Sequence, residues 1–157
     1  MFLIILSALF SFMATVSFAV LFRAPSRMLL PAGFTGAVGW TVYFFMRDSL
    51  EYSSPLSIFC GTVALSLISE FFARHFKQPV IIFAIPGIVP LVPGLAVYQG
   101  MYFIIMNAYS VGIEKLIRAS LEAGAISLGI LLVSGIFRVF KVRRNRLFIT
   151  SRIRGKD

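Results

Sequence analysis

Few side chains in this sequence have types and spacings that could do chemistry. Glu70 and Glu122 lie within or against long apolar runs. An ionisable group is costly there and is a candidate carrier of a coupling proton. Each has a plainer role open to it. Glu70 precedes Arg74 by one helical turn, the spacing of an i,i+4 ion pair. Glu122 follows Ser120 at the expected start of a helix, where the helix dipole favours an acid. Cys60 and His75 are the sole residues of their kinds. Neither a Cys/His metal cluster nor a Cys–His nucleophile pair has its usual spacing. No glycine loop closing on Lys-Ser/Thr is present to cradle a phosphate. No catalytic residue, metal ligand or cofactor is expected, and the sequence does not read as an enzyme.

The most unusual pattern is made of residues with no chemistry of their own. "AIPGIVPLVPGLAVYQG", residues 84–100, sets Pro86, Pro90 and Pro93 in one of the most apolar parts of the chain. Each proline lacks an N–H and pushes the residue before it out of the α region. The expected result is a short helix over 80–85, a break with freed carbonyls at Ile82, Pro86 and Val89, and a second half-helix starting near Gly94. One alternative is a kinked helix whose freed groups are paired by its neighbours. Irregular backbone at membrane depth is tolerated only inside protein or beside a water-filled cavity, and transporters use such broken helices to meet their substrates. Pro86, Gly87, Pro90, Pro93 and Gly94 are therefore candidate substrate-pathway residues, with Tyr98 and Gln99 on the second half-helix. Gln99 could donate to a substrate carboxylate or bond a neighbouring helix.

The elements that must position these residues are membrane spans. The chain has 157 residues, 59% hydrophobic and 13% charged, against about 25% charged in a typical soluble domain. Five apolar segments approach the roughly 20 residues that cross a bilayer. They cover about 2–22, 28–46, 54–72, 80–108 and 121–140, an all-α integral membrane domain with the fourth helix broken. The first run lacks a preceding Lys or Arg and exceeds a usual signal-peptide core, so it is expected to be retained. Small residues, Gly33, Gly36 and Gly39 in the second segment and Gly124, Ala125, Gly129 and Gly135 in the fifth, suit close helix packing.

The net charge of +9 is concentrated in a basic tail, residues 141–157, which holds seven of the fifteen Lys and Arg residues. Five crossings put Arg23, Arg27, Arg74, Lys77 and that tail on one side, eleven basic residues against Arg47, Lys115 and Arg118 on the other. A fourth segment that dips in and returns would give eight against six. The positive-inside rule favours five crossings, with the N-terminus outside and the C-terminus in the cytoplasm. The tail reads as an anchor beside the lipid bilayer rather than as a nucleic-acid surface.

"IPGIVPLVPGLAVYQGM" resembles the proline-glycine signature of the threonine/serine exporter (ThrE) family, in its C-terminal five-helix half. The length, the early "FRAPSR" loop, the five-span hydropathy and the basic tail resemble the family's small stand-alone subunit, the YjjB type. That resemblance implies a bacterial inner-membrane protein working with a second membrane subunit similar to the exporter's N-terminal half. It implies export of a small carboxylate substrate, threonine and serine first and a dicarboxylate such as succinate next. A non-transporting accessory subunit and a small homo-oligomeric channel are the other readings the sequence leaves open.

Overall fold

A computed structural model describes the chain from Phe2 to Arg154, with backbone alone for residues 2, 3, 49 and 140–154. The side chains of the expected basic tail lie outside the described residues. Six α-helices follow one another: α1 (Phe2–Leu21), α2 (Leu29–Phe44), α3 (Ser54–His75), α4 (Ile81–Ile88), α5 (Gly94–Ile105) and α6 (Tyr109–Arg154). A 3₁₀ turn at Ser26–Met28 leads into α2, a π-helical turn at Phe45–Ser49 leaves it, and a 3₁₀ turn at Val89–Leu91 extends α4. No strand occurs among the described residues, and the all-α expectation holds. In a bilayer the backbone must satisfy its own polar groups, and apolar runs of this length do so as helices. Four stretches, Ile4–Leu21, Ser26–Asp48, Ser54–His75 and Tyr109–Val139, are long and apolar enough to cross a membrane. The fifth is a pair, Ile81–Leu91 and Gly94–Ile105, bent by 45° at its break.

Small residues bring the helices together. Ser11 of α1 donates to the Gly36 carbonyl of α2 at 3.1 Å, and the Thr15 side chain fills the space a Cβ on Gly36 would need. Gly39 of α2 meets Leu65 and the Gly61 backbone of α3. In lipid, where burial gives helices little reason to associate, such close approach supplies the packing. α4 sits against α1, α2 and α3. Its Phe83 is fully buried in a cluster with Ala19, Met28, Ala32 and Ala73.

Contacts along α3 set the topology. Ser54 bonds Glu122, Thr62 packs on Gly129, and Arg74 lies over the ring of Phe137. The α3 and α6 helices therefore run parallel. The segment between them thus returns from one end of the bundle to the other.

Two expectations need correction. The fifth helix begins at Tyr109, not near Leu121, because "YSVGIEKLIRAS" carries charges but no proline, its one glycine is tolerated, and it continues straight into the apolar run. Residues 109–121 thus precede the level at which α3 starts, and α5 meets this stretch of α6 at Gly100–Leu116, Ile104–Gly112 and Gln99–Lys115. Of the small residues expected to pack in the fifth helix, Gly129 does so against Thr62, whereas Gly124 and Gly135 face open space.

Candidate functional site: the broken fourth span

The three prolines do different things. Pro86 is accommodated inside α4 and Pro90 belongs to the 3₁₀ turn, so the first helix runs past the expected stop at Ile85 to Ile88. Only at Val92, with an extended ψ of 130°, and at Pro93, with a ψ of 47°, does the chain leave helical geometry. A proline within a helix survives where neighbours help satisfy the backbone. Thr35 of α2 braces the neighbouring turn: its hydroxyl lies 2.7 Å from its own Ala32 carbonyl and 3.1 Å from the Phe83 carbonyl of α4, next to the Ile82 carbonyl that Pro86 leaves without its helical partner. Gly87 allows α4 to approach, since a Cβ there would meet the Thr35 hydroxyl and the Leu65 side chain. At the break the Val92 N–H donates to Val89 O at 3.3 Å and the Gly94 N–H to Val92 O at 2.8 Å. The second half-helix then starts at Gly94, with nothing within 4 Å of the place its Cβ would occupy.

The sequence candidates therefore divide into two places. Pro86 and Gly87 are buried in the bundle. Tyr98 and Gln99 lie beyond the break, lining a cleft of about 380 Å³ with Tyr102, Phe103 and Lys115. Lys115 of α6 donates to the Gln99 side-chain oxygen at 3.1 Å and stands 5.8 Å from the centroid of the Phe103 ring. Gln99 thus bonds the neighbouring helix. Lys115, Tyr102 and Phe103 are the residues sequence reading missed. A Gln and a Lys sixteen positions apart carry no pattern until the α5–α6 hairpin folds them together.

Glu70 and Glu122 are far apart along α3 and α6. Glu70 keeps the expected partner, with Arg74 Nη2 at 3.7 Å. Glu122 is not a cap, because the early start of α6 puts it in the helix interior. Its buried carboxylate accepts from the Ser54 hydroxyl and from Arg118 Nε at 3.3 Å. Between the two acids, α3 carries Thr62, Ser66 and Ser69, all buried and with no hydrogen-bond partner for their hydroxyls. Their i, i+4, i+7 spacing puts them on one side of the helix. Unpaired buried hydroxyls are uncommon enough to call for an explanation. Among the described residues, no group of three or more His, Cys, Asp or Glu could hold a metal ion.

A broken span within an otherwise regular helical bundle is the architecture of a membrane transport protein. Residues 7–136 match the family model described as Threonine/Serine exporter, ThrE, and the chain belongs to that family. It is 31% identical over 123 residues to a threonine/serine exporter of Corynebacterium glutamicum, an alignment covering 78% of this chain and 24% of that protein. The chain spans about a quarter of the relative's length. No solved structure matches it.

Proposed function

We propose that this chain is one subunit of a secondary exporter of small polar carboxylates, with threonine and serine as the first substrates and a dicarboxylate such as succinate as the next. The observation that carries the reading is the interruption at Val92–Pro93 in a chain of the threonine/serine exporter family. Unwound backbone between half-helices offers free peptide groups to a polar solute, which a continuous helix does not. Pro86, Gly87, Pro90, Pro93 and Gly94 shape that path, and Tyr98 and Gln99 stand at its far end. Glu70 and Glu122 are the carboxylates proposed to carry the coupling proton, with the hydroxyls of Thr62, Ser66 and Ser69 between them.

The proposed partner is a second membrane subunit similar to the exporter's N-terminal half. Its support is the quarter-length match to the relative, together with the need of a broken helix for protein around its freed groups. The proposed setting is the bacterial inner membrane, N-terminus outside and C-terminus cytoplasmic, on the eleven-to-three split of basic residues. Export of labelled threonine, serine and succinate, measured in cells making this chain alone, the partner alone or both, tests the reading. Export of at least one substrate only when both are made supports it. Equal export by cells lacking this chain overturns it.

A further inference from the structure

The α5–α6 hairpin gathers donors in one small cleft and no charge to oppose them. Lys115 contributes an ammonium with three N–H groups, one of them directed at Gln99 Oε1. That bond leaves the Gln99 amide nitrogen free to donate, and Tyr98 and Tyr102 line the same cleft. The two ion pairs among the described residues are Glu70–Arg74 and Glu122–Arg118, and neither includes Lys115. Glu114 is adjacent in sequence, but successive helical residues point about 100° apart, and Glu114 does not line the cleft. Phe103 and the two tyrosine rings add an apolar wall. The cleft is open on one side, with a volume of about 380 Å³, room for a small solute rather than a drug-sized ligand.

The hairpin is built to hold this arrangement. Gly100 and Gly112 face each other across α5 and α6, and a Cβ on Gly112 would come 2.8 Å from the Gly100 carbonyl. Close backbones bring Gln99 and Lys115 within hydrogen-bond reach, so the ammonium is held before any ligand arrives. An orienting bond of this kind lowers the ordering cost of binding.

We propose that this cleft is a carboxylate-recognition site anchored by Lys115 and Gln99, with Tyr98 and Tyr102 beside them. It rests on the export reading for its substrate and names the group that receives the substrate's carboxylate. A carboxylate bound at Lys115 presents its side chain to Phe103, so the site takes threonine or a small dicarboxylate and discriminates against the uncharged amide.

The test uses the full chain with its partner subunit in nanodiscs of phosphatidylcholine alone. Reductive methylation of Lys115 is followed by peptide mass spectrometry with threonine, succinate or threonine amide present. Threonine or succinate is expected to slow labelling, and threonine amide is not. In transport, Lys115→Gln is expected to raise KM for the exported substrate about 10- to 100-fold, the effect of one charge-assisted hydrogen bond. The maximal rate should stay near wild type, and Lys115→Arg should keep most of the affinity. Labelling that no carboxylate slows, or a transport KM for Lys115→Gln within twofold of wild type, overturns the site. So does protection that needs no added carboxylate and arises only with phosphatidylglycerol, which marks a lipid headgroup contact. If the wild-type complex exports none of these substrates, the export reading fails, and the labelling result still decides the site.

Discussion

Lys77 and Asn107 follow α3 and α5 with φ values of 54° and 61°, in the left-handed region. Behind each, an N–H closes back on the helix: Gln78 on Ala73 O at 3.0 Å and Ala108 on Phe103 O at 2.8 Å. This is the turn in which glycine is the usual residue. Lys77→Gly is therefore expected to stabilise the chain by about 1 kcal/mol, read as a higher midpoint of thermal unfolding in detergent. A lower midpoint would contradict the assignment. Ser69 offers the opposite kind of test. Its hydroxyl is buried with no partner, so Ser69→Ala has no hydrogen bond to lose and is expected to be neutral or stabilising by up to about 1 kcal/mol. A clear destabilisation would mean that the hydroxyl has a partner. Glu122 should behave differently, because Ser54 and Arg118 both donate to it. Glu122→Ala is expected to cost about 1–3 kcal/mol, and Glu122→Gln less, since it still accepts from Ser54. If Glu122 carries the proton, Glu122→Gln also loses pH-gradient-driven export while keeping substrate exchange.

The break in the fourth span was legible at the scale of the element because three prolines and their glycines override any helical preference. Its placement was not. Thr35 of α2 reaches the Phe83 carbonyl just before Pro86, and Gly87 lets α4 approach Thr35 and Leu65, tertiary contacts that local pattern cannot supply. Pro86→Ala is thus expected to leave the bend in place and to lower export less than Pro93→Ala, which is expected to reduce the 45° bend. Similar rates for the two variants would show that the prolines act alike. The α5–α6 contact makes a further distinction. Gly100→Leu drives a side chain into Leu116 and the Gly112 backbone, and overpacking of this kind costs about 1–3 kcal/mol. Gly124→Ala meets nothing within 4 Å and is expected to be silent in the same unfolding assay. The start of α6 was misjudged from sequence for a related reason. The apolar segment begins only at about 121 because Lys115 and Arg118 lie before it, yet no proline interrupts residues 109–120. The cleft residues depended on that error, since Lys115 meets Gln99 only when both stretches are helical.

At the scale of the molecule, two packing units share one long helix. α4 closes against α1, α2 and α3, while α5 swings away to pack on residues 109–121 of α6. The break at Val92–Pro93 lies between those units. Leu95, Met101 and Ile105 of α5 are all more than half exposed, and a broken span needs protein cover that these helices only partly give. Composition made the membrane class plain, but no feature of one chain specifies what completes it. The most direct measurement is threonine export from proteoliposomes containing this chain and its partner, with wild type compared to Pro93→Ala at equal amounts of assembled complex. The proposed path predicts saturable export by the wild-type pair, a marked loss in Pro93→Ala, and none by this chain alone. Undiminished export by Pro93→Ala, or full export without the partner, would contradict it.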